Sequence, residues 1–237
     1  MYLRMVEIGN KGANDLGYDG LTDLWFSQYD MPADKFLDET DRVWEELKPL
    51  YESLHCHVRD ELSRHYGEDI VAKTGNLPAH VLGNMWGQSW SNIYDLVYKA
   101  ESSPSTSKID LTSILIDKDI DEIEMVKIAE NFFISLGFEP LSDTFWERSL
   151  FIKPQDRNVV CHASAWDLNS DINDLRIKMC IERNAEDFSV IHHELGHIFY
   201  YQAYSHLPDI FQSGANDGFH EAVGDLLTLS ITPDYLQ

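Results

Sequence analysis

The stretch Asp187-Phe-Ser-Val-Ile-His-His-Glu-Leu-Gly-His-Ile-Phe-Tyr-Tyr-Gln-Ala-Tyr204 decides how this chain is read. Its pattern predicts a helix from Asp187 to Tyr204, with Val190, Ile191, Ile198 and Phe199 flanking His193-Glu-Leu-Gly-His197. Residues four apart lie on one helix face. His193 and His197 can therefore hold one metal ion from consecutive turns. Glu194 stands beside that face, within reach of a water on the ion. Five residues are a weak signal alone, and two core or solvated histidines are the plain alternative. The helical, apolar setting is what strengthens it.

A hydrolytic zinc site needs a third protein ligand and one open position. Downstream lies Gly214-Ala-Asn-Asp-Gly-Phe-His-Glu-Ala-Val-Gly-Asp225. Here Glu221 is expected to open a second helix, predicted over Phe219 to Leu229, and to border its apolar face. Asp225 follows one turn on and can orient a ligand histidine. His220 competes as the third ligand. Glu221 is preferred, because E-x-x-x-D after H-E-x-x-H recurs in zinc peptidases. With zinc bound, water acidifies to a pKa of about 7. Glu194 would take its proton during attack on a peptide carbonyl and pass it to the leaving amine.

Outward from these segments the chain reads as mostly helical. Asp30 to Tyr66 carries Phe36, Val43, Trp44, Leu47, Leu50, Tyr51, Leu54, Val58 and Leu62 at helical spacing, with a kink expected at Pro49. Leu82 to Tyr98 places Trp86, Trp90, Tyr94 and Tyr98 at the same spacing, and Asp121 to Phe138 predicts a helix ending near Gly137. Ser102-Ser-Pro-Ser-Thr-Ser is a loop by composition. Asn158–Trp166 and Leu175–Ile181 are β-prone and are joined by a turn-rich Asn169-Ser-Asp-Ile-Asn-Asp, which predicts a hairpin.

The 237 residues suit one domain or a large part of one. Hydrophobic residues at 43% and charged residues at 25% describe a globular chain. A net charge of −23 repels nucleic-acid phosphates and anionic lipid, so neither is an expected partner. No apolar run is long enough to span a bilayer. The opening Met1-Tyr-Leu-Arg-Met-Val-Glu lacks a signal-peptide pattern and reads like the inside of a helix. The three cysteines, Cys56, Cys161 and Cys180, form no Cys-x-x-Cys pair, which argues against a thiolate zinc site.

The motif residues, with Lys48-Pro-Leu-Tyr-Glu-Ser-Leu-His55, Leu77-Pro-Ala-His-Val-Leu-Gly-Asn-Met-Trp-Gly-Gln88, Ser91-Asn-Ile-Tyr-Asp95 and Cys161-His-Ala-Ser-Ala-Trp-Asp167, resemble the angiotensin-converting-enzyme family of zinc peptidases. The resemblance covers nearly the whole chain. It implies a mainly α, zincin-type metallopeptidase with a deep cleft and a small β-hairpin, acting on oligopeptides with a free C-terminus. By motif, His193, His197 and Glu221 would bind one zinc and Glu194 would be the base. His162, Ala163 and Gln88 would bind substrate. The related carboxypeptidase branch carries an arginine where Gln88 stands, so Gln88 implies release of dipeptides rather than single residues. Trp25 and Tyr29 resemble residues around a chloride site. Cys161 and Cys180 match a family disulfide, although their spacing is one residue longer; the pair would imply a periplasmic or extracellular, oxidising location. Met5-Val-Glu-Ile-Gly-Asn-Lys-Gly-Ala13 and Ser27-Gln-Tyr-Asp-Met31 resemble bacterial members.

Family domains run to roughly twice this length. The resemblance therefore implies that residues 1–237 are the central part of a single peptidase domain. The groups that hold the transition state and the substrate carboxylate would lie beyond it. The competing readings are a non-catalytic zinc- or peptide-binding module, a carboxypeptidase, and an unrelated zinc endopeptidase.

Overall fold

The structure, a computed structural model, describes residues 1–83, 87, 89–98 and 110–231. It divides into two compact units, Met1–Ser107 and Lys108–Gln237. Among the described residues both are built chiefly of helices, and the second adds a two-stranded antiparallel sheet. This is the mainly α architecture with one hairpin that the sequence predicts. No described helix is long and apolar enough to cross a membrane.

The first unit holds helices α1 (Tyr2–Asp15), α2 (Leu21–Phe26), α3 (Ala33–Tyr66) and α4 (Tyr94–Val97). Asn10 joins the first two by accepting a hydrogen bond from Leu21 N at 3.1 Å. Helix α3 runs through Pro49 as one element of 34 residues. Only its C-terminal part is buried, where Val58 and Leu62 pack with Val71, Val81, Leu82 and Ile93. The apolar stripe ahead of it, including Leu47, Leu50 and Leu54, is exposed.

The helical spacing of Leu82 to Tyr98 does not become one helix. The chain instead forms a 3₁₀ turn at Ser91–Ile93 followed by the single turn of α4. Gly83 and Gly87 explain this with φ of +72° and +64°, a left-handed conformation that an α-helix interior excludes. Asn92 Nδ2 donates to Gly83 O at 2.7 Å and Trp90 Nε1 to Gly87 O at 3.0 Å, so both glycines are held in turns by side chains. Trp86, Gln88 and the Ser102–Ser107 loop lie outside the described residues.

The second unit begins with α5 (Leu111–Asp117) and α6 (Glu122–Ser135). Asp121 and Glu124 form a reciprocal capping box at the start of α6. The helix gives way at Leu136, ahead of Gly137 with φ +99°. Helix α7 (Asp143–Arg148) follows, capped by Ser142. Strands β1 (Ser164–Asn169) and β2 (Asp174–Lys178) pair from Ser164↔Lys178 to Asn169↔Asp174. The turn between them contains a 3₁₀ segment and Asn173 at φ +53°. The predicted strands Asn158–Trp166 and Leu175–Ile181 are therefore displaced towards the turn. Beyond Lys178 the backbone bonds elsewhere, since Met179 N donates to Leu150 O and Ile181 N to Phe151 O. Residues 158–163 are left without that ladder.

Helices α8 (Ala185–Tyr204) and α9 (Asp217–Thr228) complete the unit. Asn184 caps α8 by accepting from Asp187 N at 2.7 Å, and Glu186 and Asp187 place negative charge against the positive end of its dipole. Phe188, Ile191, Leu195 and Phe199 of α8 face a core that includes Phe133 of α6 and Phe145 of α7. The Phe133 and Phe199 rings stack with centroids 4.3 Å apart. Phe133 has no solvent exposure. Phe133→Ala should cost about 3–5 kcal/mol of unfolding free energy. Urea unfolding checks this through a lower midpoint; an unchanged midpoint would mean that α6 is not anchored to α8 through this ring.

Candidate metal centre

Helix α8 carries its core stripe on one side and His193, Glu194 and His197 on the other. The neighbouring His192 belongs to the core. It is fully buried, its Nδ1–H donates to Phe188 O at 2.8 Å, and burial lowers its pKa to about 4. Two adjacent histidines thus have opposite surroundings, as a helix places residues about 100° apart.

Helix α9 crosses α8 where both carry glycine. A Cβ on Gly196 would lie 2.9 Å from Gly224 Cα, and a Cβ on Gly224 would lie 2.7–2.9 Å from the His193 ring. This contact brings α9 close enough for Glu221 and Asp225 to reach the histidines. His193 Nε2 lies 3.0 Å from His197 Nε2 and 3.2 Å from Glu221 Oε2. His197 Nε2 lies 3.7 Å from the same carboxylate oxygen. Tetrahedral ligands about 2.05 Å from zinc stand about 3.3 Å apart. The three separations bracket that edge length, so His193, His197 and Glu221 fit a zinc ion. These three form the metal-capable group among the described residues. Glu221 sits in the second turn of α9 with its side chain 65% exposed, rather than opening the helix against a buried face. An exposed carboxylate can turn to a ligand without first losing a buried position.

Asp225 Oδ1 lies 3.1 Å from His193 Nδ1. A carboxylate only accepts, so Nδ1 carries the proton and Nε2 presents its lone pair to the cluster. His220 is not part of the three-donor group. Its Nδ1 stands 2.7 Å from His197 Nδ1, behind that ring. Burial, and then the neighbouring His193, lower the pKa of His197 to about 4, so the ring is neutral and able to bind a cation.

Glu194 is 6% exposed, and burial raises its pKa, with His193 opposing the shift. A carboxylate displaced upwards is a stronger base for a proton near neutral pH. It lines a cavity of about 500 Å³ with His162, Ala163, His197, Tyr201 and Glu221. A second cavity of about 600 Å³ adjoins His162, Ala163, His193 and Glu194 and extends along Glu186 and Val190. His162 is exposed and its Nδ1–H donates to Ala163 O at 2.8 Å, leaving Nε2 without a hydrogen-bond partner among the described residues. Cys161 and Cys180 are joined by a disulfide beside this wall, with Cα atoms 5.0 Å apart. Cys56 is free and exposed. In the first unit Tyr29 groups with Phe26 and Phe36, each centroid 5.6 Å away, and Trp25 is 65% exposed.

The family model described as angiotensin-converting enzyme matches residues 1–237. The chain belongs to the angiotensin-converting enzyme family. It is 50% identical over 236 residues to the angiotensin-converting enzyme of Bos taurus, a match covering 98% of this chain and 18% of that protein. The enzyme of the same name from Theromyzon tessulatum is 44% identical over 100% of this chain and 38% of its own length. That from Haematobia irritans exigua is 39% identical over 99% of this chain and again 38% of its own length. The chain thus spans between about a fifth and two fifths of the relatives it matches.

For a chain of the angiotensin-converting enzyme family, the sequence brings out the donors more readily than their supports. Gly196, Gly224, Tyr200 and Tyr201 all shape the centre, yet none stands out by chemistry. The one available signal is positional. Gly196 lies within the H-E-x-x-H motif, and Gly224 lies one residue before Asp225.

Proposed function

We propose that residues 1–237 are part of a single zinc peptidase domain that releases dipeptides from the C-terminus of oligopeptides. The observation that carries the zinc reading is the convergence of His193 Nε2, His197 Nε2 and Glu221 Oε2 at 3.0, 3.2 and 3.7 Å, beside the buried carboxylate of Glu194. His193, His197 and Glu221 would hold one zinc. The bound ion would polarise the scissile carbonyl and acidify water. Glu194 accepts the proton of the attacking water and delivers it to the leaving amine. His162 and Ala163 bind the substrate backbone along the cleft wall. Asp225 holds His193 in the tautomer that leaves Nε2 unprotonated.

Dipeptide release rests on the family resemblance at Gln88. A neutral amide is shorter than the arginine of the carboxypeptidase branch and carries no charge. Chloride, near Trp25 and Tyr29, belongs to the same reading of the whole protein. The disulfide supports an oxidising compartment, periplasmic or extracellular.

The test uses the intact zinc-loaded protein and an oligopeptide with a free or an amidated C-terminus. Dipeptides should leave the free form, and amidation should abolish the reaction. Single-residue release would move the chain to the carboxypeptidase reading. Internal cleavage indifferent to amidation would make it an endopeptidase, and zinc binding without turnover a non-catalytic module.

A further inference from the structure

Resting on the zinc reading above, we infer that His220 is a positioning residue for His197, accepting its Nδ1 proton and so turning its Nε2 lone pair towards the metal. A neutral imidazole carries one proton on two nitrogens. His197 Nε2 is the nitrogen inside the donor cluster, 3.0 Å from His193 Nε2 and 3.7 Å from Glu221 Oε2. It must present a lone pair to bind a cation, so the proton of His197 sits on Nδ1. That atom is 2.7 Å from His220 Nδ1. Two protonated nitrogens cannot share this contact. His220 Nδ1 is the acceptor, and His220 keeps its own proton on Nε2.

The two ligand histidines are then oriented in parallel ways by different chemistry. Asp225 fixes His193 with a carboxylate at 3.1 Å. His220 fixes His197 with a neutral ring. His220 is itself confined. The Tyr200 and Tyr201 rings lie with centroids 4.8 Å from it, and a Cβ on Gly214 would come within 2.9 Å of its Cδ2. The Tyr200 hydroxyl accepts from Ala215 N at 3.1 Å, tying the preceding loop to the same tyrosine. These contacts hold the plane of the His220 ring, with Nδ1 on the side of His197. Its Nε2 is buried and meets no hydrogen-bond partner among the described residues. A ring placed for its own satisfaction would not leave that donor unmade. The orientation serves the contact at Nδ1.

The experiment measures zinc affinity of the intact protein by chelator competition, in the wild type, His220→Phe and His220→Asn. Phenylalanine keeps a flat ring between the tyrosines and offers no acceptor. Asparagine offers an amide oxygen near the Nδ1 position. Zinc affinity should fall about 10–100-fold in His220→Phe. It should return to within about fivefold of wild type in His220→Asn, as the restored acceptor predicts. Wild-type affinity in His220→Phe, or His220→Asn as weak as His220→Phe, overturns the proposal. Nitrogen NMR of the histidine-labelled, zinc-loaded wild type decides the matter even where a variant fails to fold. His220 should be protonated at Nε2 and bare at Nδ1, and the reverse tautomer overturns the assignment. A folded wild type that takes up no zinc, like Glu221→Ala, sinks the zinc reading itself and this proposal with it.

Discussion

Replacing Gly224 with alanine should cost the metal centre His193. The added Cβ would lie 2.7 Å from Nδ1, 2.8 Å from Cε1 and 2.9 Å from Cγ of that ring, all closer than real Cβ contacts allow. Gly196 meets the Gly224 backbone at the same crossing, so separating the helices would relieve the clash only by carrying Glu221 and Asp225 away from the histidines. Whether ring or helix moves, His193 loses its contact with Asp225 and its Nε2 is withdrawn from Glu221. Zinc affinity should fall by more than about a hundredfold, the upper end of the loss seen when only a supporting contact is removed. Alanine has the better helix propensity, by about 0.8–1.0 kcal/mol, so α9 itself should persist. Gly12→Ala is the control, because a Cβ there meets nothing within 4 Å. Chelator titration alongside circular dichroism checks both variants. Wild-type zinc retention in Gly224→Ala would show that the ring can shift without loss of the site.

Glu194→Gln should remove turnover and leave zinc in place. The substitution keeps shape and hydrogen-bonding reach, and it deletes the lone function of a base. General acid–base groups contribute about 10²–10⁴-fold to rate, and a fall in kcat of that order is expected in the intact protein. Zinc content and KM should stay near wild type, because Glu194 is not among the three converging donors. Stability should not suffer either, since burial opposes the charged form of this side chain. Steady-state kinetics with metal analysis separates the effects. Unchanged kcat would remove Glu194 from the mechanism, and lost zinc would make it a ligand.

What could be read from residues alone follows from the range of the interactions involved. Helix α8 was legible because a long apolar period is a local signal, and the structure begins it at Ala185, two residues before the predicted start. His193, His197, Glu221 and Asp225 were legible because their spacing along two helices already fixes which faces they share. The aromatic run before Tyr98 is misleading, because its helical spacing runs across Gly83 and Gly87. Their positive φ depends on neighbours such as Asn92. Helices α5 and α7 are too short to show a period. His220 was visible as a rival ligand, but its place behind His197 depends on Tyr200, Tyr201 and Gly214 meeting across the α8–α9 crossing. That meeting is tertiary, and no spacing encodes it.

The disulfide has a consequence for alignment. A two-stranded hairpin alone is marginal in water, and sliding one strand by a residue turns every side chain to the opposite face. The β1–β2 ladder is short, and its pairing shifts between Asp167 and Asn169. A slip at its open end would carry Ala163 away from Glu194. Cys161 and Cys180 lie just outside the Ser164↔Lys178 pair, and their bond holds the two chain segments at that open end with Cα atoms 5.0 Å apart. The covalent bond therefore works as a registration pin, holding the cleft wall in step with the metal centre.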